Sequence, residues 1–260
     1  TVTVYKESTP TVAFTYRPGP KVPEGFVLVR AGSFRMGSNN GDSDERPVHT
    51  VRITRDFYMS KYEVTQKQWR EGMGNNPSRF KGANRPVENV SWYDVVEFCN
   101  RLSRKEGLTP AYTISGKDVT WNRSADGYRL PTEVEWEYAA RGGNKSRGYR
   151  FSGSDDPKEV AWYSANSGEK THPVGQKKPN ELGIYDMSGN VWEWVWDWYD
   201  SDHYSSSPAS DPTGPYTGSL RVLRGGSWRS DARDLRSANR SSGGPSVSLI
   251  NLGFRIVRTK

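Results

Sequence analysis

Phe26-Val27-Leu28-Val29 is an unbroken apolar run between Gly25 and the pair Ala31-Gly32. A run that short, bounded by turn residues, predicts a buried strand. A second strand is predicted near Phe34 to Met36. From Val48 to Phe57, positions Val48, Thr50 and Arg52 alternate with Val51 and Ile53, which predicts one strand across the stretch. Asn39 to Arg46 is polar and contains Gly41, so it reads as a loop. Before Gly25, Thr-Val-Thr-Val alternates and Pro10, Pro18, Pro20 and Pro23 forbid continuous helix. Residues 1–24 are therefore expected to form an extended arm, with the folded domain spanning 25–260.

Three helices carry start signals. Thr65 precedes Gln66 to Glu71, with Gln68 completing a capping box. Ser91 precedes Trp92 to Glu106, with Asp94 three residues on and Gly107 as the stop. Thr132 precedes Glu133 to Arg141, with Glu135 in the reciprocal place and Gly142-Gly143 as the stop. Val95, Cys99 and Leu102 share a face of the second helix, which places the cysteine in a core. After residue 143 the pattern predicts loops and short strands only. There Trp192, Trp194, Trp196 and Trp198 alternate, so a strand would set all four on one side. Glu193, Val195 and Asp197 would face the other. Core packing is the expected role of these tryptophans.

Composition sharpens this picture. The chain has 260 residues, no internal repeat and no apolar run long enough for a membrane helix. One α+β domain is expected. Its 26 glycines and 16 prolines point to an irregular, loop-rich build, and its 10 Trp, 14 Tyr and 8 Phe exclude a disordered chain. The net charge of +7 is scattered, with no Lys/Arg run longer than two, so a charged surface is expected and no nucleic-acid partner. One cysteine permits no intrachain disulfide. His49, His172 and His203 show no metal-ligand spacing, and no nucleophile elbow, Walker loop or His-Glu-x-x-His motif is present. Asp155-Asp156 is a pair of sequence neighbours that point apart, which reads as solvated. Thr1 stands where an initiator Met would, so removal of an N-terminal signal is expected.

Ordered motifs then run through almost the whole chain. Gly32-Ser33-Phe34-Arg35-Met36-Gly37-Ser38 is followed by Glu45-Arg46-Pro47-Val48-His49 and Tyr62-Glu63-Val64-Thr65. Pro86-Val87-Glu88-Asn89-Val90-Ser91-Trp92 and Tyr128-Arg129-Leu130-Pro131-Thr132-Glu133-Val134-Glu135-Trp136-Glu137 come next. Asn180 to Tyr185, Gly189-Asn190-Val191-Trp192-Glu193-Trp194, Arg224-Gly225-Gly226-Ser227-Trp228 and Asn251-Leu252-Gly253-Phe254-Arg255 complete the series. In these motifs the chain resembles the formylglycine-generating-enzyme (sulfatase-modifying factor) family over residues 25–258. The resemblance implies a C-type-lectin-like fold: a small antiparallel sheet, packed helices and long irregular loops.

Fold does not carry chemistry with it. The family's oxidase uses two cysteines after the Gly-Gly-Ser motif, where thiolates act as nucleophile and copper ligand. Carried over, those positions are Ser230 and Leu235, so neither copper binding nor a disulfide is expected and the chain reads as a non-enzyme. A second branch resembling this fold makes sulfoxides with non-haem iron, but it draws ligands from an extra histidine-bearing domain that is missing from this sequence. The resemblance also implies a structural calcium ion. Its ligands would be the Asp186 and Glu193 side chains and the Gly189 and Val191 carbonyls, an oxygen set that suits calcium.

The segment between the last two motifs is unusual. Met, Trp, Lys, Gln and Glu supply 45 of 260 residues, yet none falls between Arg229 and Asn251, where about four would be expected. Those five are the residues that pyrimidine-ending codons cannot encode, so adenine-directed randomisation of AAC codons would produce this gap. Here the chain resembles the variable proteins of diversity-generating retroelements, those of treponemes among them. Within 229–250, Ala232-Arg233, Leu235 to Arg240 and Pro245 read as scaffold. Arg229, Ser230, Asp231, Asp234, Ser241, Ser242, Gly243, Gly244, Ser246, Val247, Ser248, Leu249 and Ile250 read as variable, ligand-binding positions. Replaceable side chains on a rigid frame are what a receptor needs. The expectation is a preformed site whose loops are pinned by Arg233, Arg236 and Arg240 through charge-assisted hydrogen bonds. The expectation is a monomer at a bacterial cell surface or outside the cell, with any membrane attachment made only through a lipid anchor beyond this sequence. Its ligand is a protein or other surface molecule that one variant does not identify.

Overall fold

The computed structural model describes residues 22–260. The predicted arm therefore falls almost wholly outside the described residues. Strand β1 (Phe26–Val29) pairs antiparallel with β4 (Phe57–Ser60), and β2 (Gly32–Met36) with β3 (His49–Ile53). The single strand expected from Val48 to Phe57 is thus two strands in different sheets. Side-chain hydrogen bonds turn the backbone between them. Asp211 accepts the Thr54 N–H at 2.9 Å, and Asp56 accepts the Ala31 N–H at 2.9 Å. Alternation alone carries no sign of those distant partners.

Helices α1 (Gln66–Met73), α2 (Trp92–Lys105) and α3 (Glu133–Ala140) begin where their capping boxes place them. In each, the Thr or Ser accepts from the third residue's N–H while that residue's side chain returns the bond. Between α2 and α3 lie β5 (Tyr112–Ser115), β6 (Asp118–Trp121) and the two-residue β7 (Tyr128–Arg129). Beyond α3, the one helical element longer than a 3-10 turn is the four-residue α4 (Pro157–Val160). Strands β8 (Trp192–Trp198), β9 (Arg221–Arg224), β10 (Ser241–Gly243), β11 (Leu252–Phe254) and β12 (Val257–Thr259) follow. One four-stranded sheet has the order β1-β4-β12-β7 and a second β10-β9-β8-β11, while β2-β3 and β5-β6 form two-stranded ribbons. The last strand thus lies inside the first sheet. Among the described residues no helix is long and apolar enough to cross a membrane.

Strand β8 divides two cores. Trp194 packs with Trp92, Phe98 and Phe254 on one side, with Trp192 and Trp196 beside it. Val195 packs with Met59, Trp136 and Tyr138 on the other. The tryptophan alternation is therefore a packing device for three rings. Trp198 departs from it: the β8–β9 register shifts between Trp194 and Trp198, and the Arg221 guanidinium lies over its ring. Cys99 is fully buried, and burial pushes its thiol well up, so it stays protonated and inert.

Asp197, on the second face of β8, accepts the Glu133 N–H at 2.8 Å where α3 begins. Burial lifts its carboxyl well above the usual range and the Glu133 carboxylate lifts it further, while the Glu133 N–H and Arg221 oppose both. A carboxyl raised on folding takes up protons in the folded state, so its contribution to stability falls as pH rises above the ordinary aspartate range. Asn keeps an acceptor for the Glu133 N–H and removes that titration. Melting scans of Asp197→Asn between about pH 5 and 8 should show a gain over wild type that widens with pH. A constant difference would refute the assignment.

Candidate functional site

The segment 229–250 divides by burial into frame and surface. Gly226 has φ 74°, and a Cβ there would sit 2.7 Å from the Leu235 side chain, so this turn requires glycine. Leu235 is fully buried in a small core with Phe151, Val160, Ala161 and Tyr163. Arg236 donates two bonds to Glu45, at 2.7 and 2.6 Å. Arg240 donates to both oxygens of Glu133, at 2.7 and 3.0 Å, and to the Asp44 carbonyl. Arg233 pairs with Asp42. From β9, the fully buried Arg224 donates to the Ser237, Ala238 and Asn239 carbonyls at 2.8, 2.9 and 2.6 Å and pairs with Glu137. The backbone of 237–239 thus satisfies a guanidinium that would otherwise be a costly buried charge.

The remaining positions lie outward, with one exception. Arg229, Asp231, Ser246, Val247, Ser248 and Leu249 are exposed, Val247 by 40% and Leu249 by 49%. Asp234, Ser241 to Gly244 and Ile250 are half-buried. Their backbone is anchored, and of the exposed side chains Asp231 alone accepts a hydrogen bond, from the Ser164 hydroxyl at 3.2 Å. The Pro245 carbonyl accepts the Trp92 N–H at 3.1 Å, and the Leu249 carbonyl accepts the Asn89 N–H at 2.9 Å. Trp228 donates its indole N–H to the Ile250 carbonyl at 3.2 Å. Gly243 has the least freedom, since a Cβ there would meet the Trp194 ring at 3.2 Å.

Ser230 is the exception and corrects the expected surface set. It is buried, its hydroxyl accepts the Ser227 N–H at 3.2 Å, and its carbonyl accepts the Ser164 N–H at 3.1 Å. It closes the turn after Ser227 and belongs to the frame. The two places where the family's cysteines would stand are therefore a hydrogen-bonded hydroxyl and a packed aliphatic side chain.

The calcium set also changes. The Glu193 carboxylate accepts from Arg255 Nε and Nη2 and from the Trp136 indole, at 2.7–3.0 Å. Three N–H donors, the Nε–H shared between the two oxygens, engage both ends of the carboxylate, and the Arg255 guanidinium already neutralises the charge a cation would need. Asp186 is buried in a left-handed turn at φ 57°. One of its oxygens accepts the Gly175 N–H at 2.7 Å and the other has no partner. Burial raises its carboxyl to about 6. Nearby, Glu63 is fully buried and accepts from the Asn190 side chain and the Val191 N–H. Asp186 offers a calcium ligand and Glu193 does not, so the residues present do not fit the four-ligand set. Sequence reading missed Arg255 as the partner of Glu193, although the residue stands in one of the motifs.

An α+β, loop-rich domain with two small sheets and a pinned C-terminal segment defines the class, a C-type-lectin-like fold of the formylglycine-generating type. Residues 14–260 match the sulfatase-modifying factor enzyme 1-like domain, and the chain belongs to that family. It is 43% identical over 271 residues to the chaperone protein LppX of Paenibacillus barcinonensis, covering 92% of this chain and 91% of that one. Against the formylglycine-generating enzyme of Streptomyces coelicolor it is 34% identical over 297 residues, covering 95% and 94%. Among solved structures it is similar to Treponema denticola variable protein 1, with a TM-score of 0.84 and 38% identity over 90% of this chain and 95% of that one.

Proposed function

We propose that the chain is a non-enzymatic, sequence-diversified ligand-binding protein, displayed on a bacterial surface, that binds through residues 229–250. The observation that carries this reading is the division inside one segment. Leu235 to Arg240 are buried and, at both arginines, ion-paired, while Arg229, Asp231 and Ser246 to Leu249 are exposed on anchored backbone. The missing Met, Trp, Lys, Gln and Glu and the likeness to Treponema denticola variable protein 1 support it. Val247 and Leu249 would supply apolar contact in this variant, with small Ser and Gly leaving the remainder shallow.

Randomising Arg229, Asp231 and Ser246 to Leu249 should leave most variants within about 0.5 kcal/mol of wild-type stability in denaturant titration. The gene should also have a reverse transcriptase nearby and an imperfect copy of the segment differing at adenines. Widespread unfolding in that library, or no such copy in the genome, would sink the proposal. Identity to the Streptomyces coelicolor enzyme supports a second reading, an enzyme or pseudoenzyme lacking the paired cysteines. Oxidation of a cysteine-containing peptide by the purified protein with copper would decide for an enzyme.

A further inference from the structure

Two cavities share Tyr149 as a common wall, and residues 246–250 line neither of them. The larger, about 440 Å³, is lined by the side chains of Arg141, Arg150 and Arg236 with Ser38 and Asn40. The smaller, about 270 Å³, is lined by Lys145, Arg147 and Lys178. Six cations thus line two hollows that share a wall, against one carboxylate in the lining, Glu181.

Internal pairing cancels only part of this charge. Arg236 is held by Glu45 and Arg141 by Glu137, but Glu137 also serves Arg224, so one carboxylate is shared between two guanidiniums. Lys178 pairs with Glu159 at 3.2 Å with both side chains about half exposed, which holds it loosely. Among the described residues Lys145, Arg147 and Arg150 have no acidic side-chain partner. Asp155 accepts the Arg150 backbone N–H at 2.8 Å and forms no ion pair with its side chain. The Arg236 fork is spent on Glu45, and Arg141 gives Nε to Glu137 and Nη2 to the Gly37 carbonyl. The guanidiniums free to meet a ligand are those of Arg147 and Arg150, and the Arg150 carbonyl, by accepting the Ser237 N–H at 3.1 Å, anchors that backbone. Free guanidiniums favour sulfate and carboxylate groups, which they meet two bonds at a time.

The rest of the lining narrows the polymer. Both hollows are polar, with hydroxyl, amide and exposed backbone groups, which suits a hydroxyl-rich chain. Single-stranded nucleic acid takes successive aromatic platforms, and one ring, Tyr149, lines the pair. The apolar side chains of a peptide would find no greasy wall. We infer that this paired hollow is a constant binding site for an acidic polysaccharide, its sulfates or carboxylates on the arginines and a sugar ring against Tyr149. Arg236 and Ala238 of the frame line the larger hollow, but none of the exposed positions of 229–250 does, so the inference does not depend on the ligand-binding reading of those positions.

The test is calorimetric titration of the whole chain with a heparin oligosaccharide at fixed moderate salt. Parallel arms use hyaluronate oligosaccharide, which carries carboxylates only, and single-stranded DNA of matched charge. Arg147→Glu/Arg150→Glu removes two unpaired cations and leaves the ion-paired frame intact. Arg104→Glu/Lys105→Glu makes the same charge change at the exposed end of α2. The first pair should weaken heparin at least tenfold and the second less than twofold, with Val247→Ser/Leu249→Ser unchanged. Tighter heparin than hyaluronate would assign sulfate as the group recognised, and the reverse would assign carboxylate. Equal loss in both charge-reversal pairs, loss in the Val247→Ser/Leu249→Ser variant, no binding to either glycan, or stronger binding to the DNA would each overturn the inference.

Discussion

Arg224→Met should cost about 3–5 kcal/mol of folding stability, the range for removing one partner of a buried charge pair. For a chain of this size that is a fall of roughly 6–20 °C in melting midpoint, at about 2–4 °C per kcal/mol. The reason is the number of groups the guanidinium satisfies. Three carbonyls from Ser237 to Asn239 lose their donor together, and the fully buried Glu137 keeps only Arg141 and the Gly37 N–H. Lysine would keep the charge but has no planar fork to span those acceptors, so Arg224→Lys should recover less than half of the loss. Urea titration of both variants measures the effect. A loss below about 1 kcal/mol for Arg224→Met would mean that the segment's backbone does not depend on this side chain.

Trp194→Ala should be of comparable size, about 3–5 kcal/mol, because it empties the middle of the first core. The ring is fully buried among Trp92, Phe98 and Phe254, and its indole N–H is given to the Val90 carbonyl at 3.1 Å. The same ring backs Gly243 of β10, so the edge strand should loosen with it. Hydrogen exchange at the Ser241 to Gly243 amides should quicken more than the global loss of stability accounts for. Trp194→Phe keeps most of the volume and should cost well under half as much. Equal costs for the two variants would show that the Val90 hydrogen bond, and not packing, sets the ring's contribution.

What the sequence made legible was local. The Thr65, Ser91 and Thr132 capping boxes give their helix starts because every partner lies within three residues. The Trp192 to Trp196 alternation gives the two faces of β8 because a strand's period is short. The family followed from the ordered motifs, and with it the architecture. What stayed hidden was long-range. Thr54 turns the chain by bonding Asp211, and Glu193 is satisfied by Arg255, pairs separated by 157 and 62 positions. Ser230 looked replaceable because a serine in a polar stretch gives no sign of the turn it closes. The pinning roles of Arg233, Arg236 and Arg240 were readable as a class of interaction, but their carboxylates, Asp42, Glu45 and Glu133, lie far off in sequence and only the fold names them.

The last strand, β12, lies between β4 and β7 with Val257 opposite both Met59 and Arg129. The first sheet is therefore unfinished until the final residues arrive, and those residues reach it only after 229–250 has been threaded through the frame. Contacts between such distant parts of a chain form late and slowly. A version of the segment that cannot seat on Arg224 and Trp194 also withholds the strand that closes the other sheet. Such a chain stays open and exposed to proteolysis rather than folding around a damaged site. Under the proposed diversification of 229–250, this topology would act as an inspector, passing only versions that leave the scaffold whole.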